Sequence, residues 1–143
     1  MWQIRKCVSA DFQPIAGLLV QLWPNKPQNL GKLRIAFDRA LQSTAQRYVC
    51  AVENGEIIGF CSLSFKNSLW QEAMLGSVDE LVVAEPFRGQ GIGGALLDYV
   101  IDIASKTGCS RIELDSAFHR TEAHAFYERR GFEKRAFLFT MAL

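Results

Sequence analysis

Leu81-Val82-Val83-Ala84-Glu85-Pro86-Phe87-Arg88-Gly89-Gln90-Gly91-Ile92-Gly93-Gly94-Ala95-Leu96-Leu97 is the stretch on which the fold turns. It opens as an apolar strand, expected from about Ser77 to Ala84, that Pro86 ends because a proline has no amide for a sheet ladder. It closes as a helix over residues 91–106, with Ile92, Ala95, Leu96, Tyr99, Val100 and Ile103 at the i, i+3, i+4, i+7 spacing. Lys106 suits the last turn of that helix, and Gly108 suits its left-handed C-terminal residue. Between strand and helix lie Gly89, Gly91, Gly93 and Gly94. A glycine-rich turn of this kind exposes several backbone N–H groups at the positive end of a helix dipole, where a phosphate or pyrophosphate can approach the chain closely. The same small residues would also suit a tightly packed turn that holds no ligand.

Outward from this centre, the upstream half reads strand, helix, helix, strand, strand. Residues 2–8 form a first strand, and Ser9 offers an N-cap oxygen to a helix reaching about Leu22, with Asp11 in its first turn. Trp23-Pro24-Asn25-Lys26-Pro27 breaks that helix. A second amphipathic helix follows, with Leu30, Leu33, Ile35, Phe37 and Leu41 among its apolar positions. Tyr48–Val52 and Ile57–Cys61 flank Asn54-Gly55, the pair best suited to a type I′ hairpin turn. Downstream come a strand at Arg111–Asp115, a helix at about Thr121–Arg130 closed by Gly131, and a last strand at Glu133–Met141. The expected architecture is a mixed α/β fold ordered β-α-α-β-β-β-α-β-α-β, with an antiparallel front and one β-α-β crossover.

A chain of 143 residues suits one domain spanning 1–143, and no repeat or low-complexity tract divides it. The hydrophobic fraction of 49% and charged fraction of 22% are ordinary for a globular protein and exclude a disordered one. A net charge of +1 argues against a broad nucleic-acid surface. No apolar run approaches the roughly 20 residues of a membrane span, and Asp11 and Pro14 interrupt the apolar stretch that a signal peptide would need. Cys7, Cys50, Cys61 and Cys109 lack any C-x-x-C spacing and read as buried thiols of a reducing compartment, so the cytoplasm is the expected location. His119 and His124 lie near Asp115, but their spacing fits no standard ligand set, and no metal is expected.

Three phosphate-binding readings compete for the glycine turn. A Walker loop fails because no Lys-Ser/Thr pair follows the glycines. Gly89-x-Gly91-x-x-Gly94 fits a dinucleotide fingerprint, with Glu113 and Asp115 about 20 residues on, yet too little chain follows to complete a doubly wound half. The third reading uses more of the chain. Arg88, Gly91 and Gly93 after a Leu-x-Val strand resemble the Arg/Gln-x-x-Gly-x-Gly/Ala motif of the GNAT superfamily of N-acetyltransferases, which bind acetyl-CoA. Ala123-His124-Ala125-Phe126-Tyr127-Glu128-Arg129-Arg130-Gly131-Phe132 is similar to the late helix of that family. The order and spacing of the two blocks and the upstream elements match as well, so the resemblance covers essentially the whole chain.

The resemblance implies a splayed central sheet whose cleft holds the cofactor. The Leu81, Val82 and Val83 backbone would pair with the pantetheine arm, and an N–H near Val82 would polarise the thioester carbonyl. The amides of Arg88, Gly89, Gln90, Gly91, Ile92, Gly93 and Gly94 would hold the pyrophosphate, with Arg88 as a supplementary charge. Tyr127 matches the general acid of the family and would protonate the departing thiolate. For the general base, Asp115 ranks first at the end of its strand, then Glu80, then Asp79. The family often carries a cofactor-contacting asparagine seven residues before the tyrosine, where this chain has Arg120, which would either approach a cofactor phosphate or simply face solvent.

Leu22-Trp23-Pro24 resembles a stretch of aminoglycoside 6′-N-acetyltransferases that borders the substrate, which would set Trp23 at the acceptor with Asp79, Glu80 and Asp115; the same Trp23 would equally anchor a turn onto the core. The expected reaction is direct transfer, within a ternary complex, to a primary amine of a small cationic acceptor such as an aminoglycoside or polyamine. A peptide or protein N-acetyltransferase and a non-catalytic CoA-binding module are the alternatives, and a homodimer through the late strand stays open. The charge divides as +5 over residues 1–47, −6 over 48–115 and +2 over 116–143. An acidic middle around the expected site favours a cationic acceptor.

Overall fold

Asn54 and Gly55 adopt positive φ angles of 51° and 77°, as a type I′ turn requires, and fold β2 (Gln46–Glu53) back onto β3 (Glu56–Ser68). In the computed structural model, which describes residues 1–143, this hairpin is the middle of a five-stranded sheet. β1 (Gln3–Lys6) pairs antiparallel with β2, and β4 (Ala73–Val83) pairs antiparallel with β3. β5 (Cys109–Leu114) lies parallel to β4, so the order is β1-β2-β3-β4-β5 with one crossover. That crossover is α3 (Ile92–Thr107). α1 (Phe12–Leu22) and α2 (Leu30–Gln42) precede β2, and α4 (Thr121–Arg129) follows β5.

The helices cover the two faces of the sheet with separate apolar clusters. On one face Ile92, Leu96, Leu97 and Val100 of α3 pack with Val49, Ile58, Leu63, Val78 and Tyr127. On the other, Phe12, Ile15 and Leu19 of α1 and Phe37 of α2 pack with Cys50, Phe60, Val82 and Ala84. α3 sits close because Gly59 gives it room: a Cβ there would lie 2.9 Å from Leu96 Cδ1. Overpacking at such a contact costs roughly 1–3 kcal/mol.

Two irregularities of β4 position the site. Ser62 pairs with Glu80 and Leu63 with Val78, so Asp79 is the extra residue of a β-bulge. The bulge changes the phase of the strand. Val78 packs on the α3 face, whereas Glu80 and Val82 face α1 and α2. β5 also stops short: its last partner is Leu114 on Val78, and β4 runs on to Val83 with no neighbour on that side. The result is a gap flanked by β4, the splay expected of this fold.

The structure corrects several sequence expectations. Residues 133–143 form no strand and are exposed; Gly131, with φ of 94°, turns the chain just past α4, and only Phe132 beyond it packs on the core. The alternation of Phe137, Phe139 and Met141 describes a strand-like surface, but a strand also needs a sheet edge, and this segment meets the fold instead at a Phe118–Phe137 ring contact of 5.8 Å. Ser9 does not cap the first helix. It lies in a 3₁₀ turn, Ser9–Asp11, where its hydroxyl accepts from Arg34 Nη2 at 2.6 Å. Asp11 caps that turn, accepting the Val8 N–H at 2.8 Å and two hydrogen bonds from Arg5. β3 and β4 also extend further than their apolar runs, because the polar arm Lys66–Ser68 pairs in full with Ala73–Leu75. In α2, Leu30 and Ile35 face solvent rather than the core.

Candidate active site

The glycine turn keeps its amides free. Phe87 N–H and Arg88 N–H bond back to Ala84 and Glu85, and Ala95 N–H is the first to close the α3 ladder, onto Gly91 at 3.0 Å. The amides of Gly89 through Gly94 lie between these points, and no turn or side-chain bond uses them; the first N–H groups of any helix have no intrahelical partner. Gly91, the N-cap, has φ of 86°, a conformation costly for any residue with a Cβ. A Cβ at Gly89 or Gly91 would meet nothing within 4 Å, so this side of the turn is open. Arg88 lies at the end of β4, its Nε donating to the Val83 carbonyl at 2.9 Å.

Strand alternation decides which backbone groups face the gap. Glu80 N–H bonds to Ser62 Oγ at 2.8 Å and Ala84 N–H to the Ile58 carbonyl at 2.8 Å, both on β3. The pairing from Glu80 to Val83 is unbroken, so Val82 N–H also points to β3. Leu81 and Val83 point the other way, into the gap beyond the end of β5. The free donor expected near Val82 therefore belongs to its neighbours.

Glu80 closes one end of a cavity of about 180 Å³ between α1, α2 and the sheet. The walls are apolar, among them Phe12, Ile15, Phe37 and Phe60, and Glu80 is the one charged lining residue. Ser62, wholly buried, donates to Glu80 Oε1 at 2.6 Å. Burial pushes the Glu80 carboxyl above the ordinary range; the Ser62 hydrogen bond opposes that, and the charges of Asp79 and Asp115 add to it. Tyr48, also lining the cavity, is pushed up to about 12, first by burial and then by Glu80. Leu19, Trp23 and Leu33 are shared with a second cavity of about 290 Å³, whose lining adds Lys26, Asn29 and Lys32. Lys26 Nζ stands 5.9 Å from the Trp23 ring.

Tyr127 lies on the opposite face of the sheet from Glu80, between the rings of Phe126 and Phe132 at 5.3 and 5.9 Å. The residue is buried, yet its hydroxyl makes no hydrogen bond and retains solvent contact. Burial raises its pKa, and the charge of Arg120 works against that rise. Asp115 is exposed just past β5, near enough for its charge to act on both Glu80 and Tyr127. Asp79 is exposed on the bulge and accepts from Ser77 Oγ at 3.0 Å. His124 Nε2 is 2.9 Å from the Ala117 carbonyl. Cys7, Asp11 and Cys50 also cluster within 4.8 Å, but both Asp11 oxygens are engaged by Arg5.

A glycine turn with free amides, a strand edge open to a gap, and a tyrosine and a half-buried carboxylate on opposite faces are groups that an acyl transfer would use. The acetyltransferase (GNAT) family model matches residues 11–132. The chain belongs to this family. Among curated relatives, the aminoalkylphosphonate N-acetyltransferase of Salmonella typhimurium is 33% identical over 99% of this chain and 91% of its own. An aminoglycoside N(6′)-acetyltransferase type 1 of Stenotrophomonas maltophilia is 29% identical over 98% and 93%. The solved structure of aminoglycoside N-acetyltransferase AAC(6′)-Iy in complex with CoA superposes with a TM-score of 0.85 at 21% identity, covering 100% of this chain and 95% of that one. The protein is thus an acyltransferase that uses acetyl-CoA, and the open glycine cradle and the free edge of β4 fit that group.

Several residues of this acetyltransferase escaped the sequence reading. Ser62 looked like one polar residue in an apolar strand, and its meaning depends on the register that puts it opposite Glu80. Lys26 stands out in the sequence only as part of the helix-breaking cluster, and Lys32 only as part of the basic first third. The acidic middle, in turn, contributes a single carboxylate to the cavity lining.

Proposed function

We propose that this acetyltransferase moves the acetyl group of acetyl-CoA to the primary amine of a small acceptor that carries an anionic group, such as a phosphonate or phosphate, at its other end. The observation that carries the proposal is the pair of adjoining cavities, which share Leu19, Trp23 and Leu33: Lys26 and Lys32 line one, and Glu80, one residue before the free Leu81 amide, lines the other. An amine directed at Glu80 would leave an anion some ångströms away among the lysines. The aminoalkylphosphonate activity named for the Salmonella relative has this chemistry. An aminoglycoside or polyamine would instead bring further positive charge against Lys26 and Lys32, which weakens the cationic-acceptor reading.

The bound cofactor supplies an activated thioester, whose pyrophosphate the amides of Gly89 through Gly94 hold with help from Arg88. The Leu81 N–H, aimed into the gap, polarises the thioester carbonyl, and Val83 holds the neighbouring amide-bearing arm. A free alkylammonium titrates near ~10.4, so the amine must lose a proton before it attacks. Glu80 accepts that proton, directly or through water, and its raised pKa makes it a better base than an exposed carboxylate. That role moves from Asp115, which lies outside the cavity lining and acts through its charge. Tyr127, protonated throughout the neutral range, delivers a proton to the departing sulfur from the other face of the sheet. Arg120 supports it electrostatically, and Trp23 lines both cavities.

The test is the double variant Lys26→Gln, Lys32→Gln. With an aminoalkylphosphonate acceptor its KM should rise about tenfold or more, the scale of one charge-assisted hydrogen bond. The KM for acetyl-CoA and for an uncharged amine of equal length should hold. An unchanged KM for the anionic acceptor would remove the lysines, and with them the acceptor class.

A further inference from the structure

We propose that Arg130 is a second arginine ligand of the cofactor pyrophosphate, and that Gly94 is a glycine in this chain to make room for it. The inference rests on acetyl-CoA as donor and is independent of the acceptor class.

Arg130 follows the last residue of α4, and its guanidinium reaches Gly94 in the first turn of α3, Nη2 foremost. A Cβ added to Gly94 would clash with Arg130 Nη2 and lie 2.9 Å from Cζ and 3.3 Å from Nε. Gly94 has a negative φ and sits inside a helix, where glycine is disfavoured by roughly 1 kcal/mol relative to alanine. Helical geometry therefore does not call for glycine at this position, whereas the adjacent guanidinium does.

The placement of the charge is the second observation. A cation at the N-terminal end of a helix meets the positive end of the dipole and is disfavoured there. Arg130 is held in place by the Phe126 ring, 5.4 Å from Cζ, and by Asp98 Oδ1, 3.3 Å from Nη1. The Asp98 side chain is 63% exposed, so this pair contributes little on its own. Nε and Nη2 of Arg130 have no acceptor among the hydrogen bonds of the structure, although both lie against a residue whose amide is free. An anion bound to the Gly89–Gly94 amides would answer the repulsion and use those donors. Arg88 and Arg130 would then bracket it, one from the end of β4 and one from the end of α4.

Binding of CoA, 3′-dephospho-CoA and pantetheine, measured by calorimetry without any acceptor, tests the assignment. For Arg130→Gln, affinity for CoA and 3′-dephospho-CoA should fall equally, by about tenfold, the cost of a charge-assisted hydrogen bond. Pantetheine has no phosphate and should bind within about twofold of the parent. Asp98→Asn removes the charge of the exposed partner and should lower CoA affinity far less than Arg130→Gln does, because the Phe126 ring still supports the guanidinium. Gly94→Ala should keep or raise Tm, because alanine favours helix, while displacing the guanidinium and weakening CoA binding. In the Gly94→Ala, Arg130→Gln double variant the two losses should not add. Unchanged CoA affinity in Arg130→Gln overturns the proposal. So does a loss shared by pantetheine, or a loss seen with CoA and absent with 3′-dephospho-CoA, since that places the contact on the 3′-phosphate.

Discussion

Replacing Glu80 by Gln should slow the enzyme and stabilise it at once. The amide is nearly isosteric, its oxygen can still accept from Ser62 Oγ, and the Glu80 backbone N–H keeps its own bond to that hydroxyl. What disappears is the base and its buried charge. General-base assistance is worth about 10²–10⁴-fold, so kcat/KM should drop by at least two orders of magnitude, about 2.7 kcal/mol of barrier. The stability effect follows from the raised Glu80 pKa, set first by burial. A carboxyl that titrates higher in the folded chain than in the unfolded one favours folding while protonated, and that advantage is lost as pH rises through its folded pKa. Glu80→Gln should therefore match the parent in acid and exceed it in Tm above the Glu80 titration. In a chain this size each kcal/mol moves Tm by about 3 °C. Thermal melts across pH, beside thiol-release assays, measure both effects. In the parent the acid limb of kcat/KM should report Glu80, and in the variant that limb should vanish. Full activity, or a Tm below the parent at high pH, would refute the reasoning.

Tyr127→Phe should lower kcat at least about tenfold while CoA affinity persists, because the ring packing stays and the hydroxyl has no hydrogen bond to lose; unchanged single-turnover rates would take the tyrosine out of the reaction. Since burial raises the Tyr127 pKa above its ordinary value of 10.0, no loss of activity from its ionisation should appear below about pH 10. Asp11→Asn should cost about 2 kcal/mol, or about 6 °C in Tm, by removing the charge and one of the two Arg5 bonds, at 2.8 and 3.0 Å, from a buried position. Arg5, chiefly, holds the Asp11 carboxyl below the usual range, so that difference should be full at neutral pH and shrink as acid protonates Asp11 through its lowered pKa. A constant gap down to strong acid would contradict the assignment.

The parts of the fold that were legible in the sequence are those with local causes. Asn54-Gly55 makes its own turn, and the spacing from Ile92 to Ile103 makes its own helix. The glycine turn advertised free amides because helix ends leave them free whatever the tertiary structure. The cleft was harder, because it depends on register. Whether Glu80 or Asp79 faces α1 and α2 is decided by one bulged residue, and only the pairing of Ser62 with Glu80 shows which. The same holds for the amide near Val82, where a shift of one position turns a donor from the gap to the neighbouring strand. Lys26 and Lys32 lie in a loop and a helix, and their shared cavity comes from the packing of α1 against α2. The tail failed for a related reason: alternation at Phe137, Phe139 and Met141 is local, and the edge needed to complete a strand is not.

Thiol release from acetyl-CoA, measured with a panel of amines matched in length, tests the central claim most directly. The panel should include an aminoalkylphosphonate, a sugar amine phosphate, the corresponding uncharged amines, a polyamine, a kanamycin-type aminoglycoside and a peptide. The account predicts that the amines bearing an anion have the highest kcat/KM, by about tenfold or more over their uncharged counterparts, with one acetyl group gained on nitrogen. A preference for the polyamine or the aminoglycoside, or no thiol release with any small amine, would contradict it.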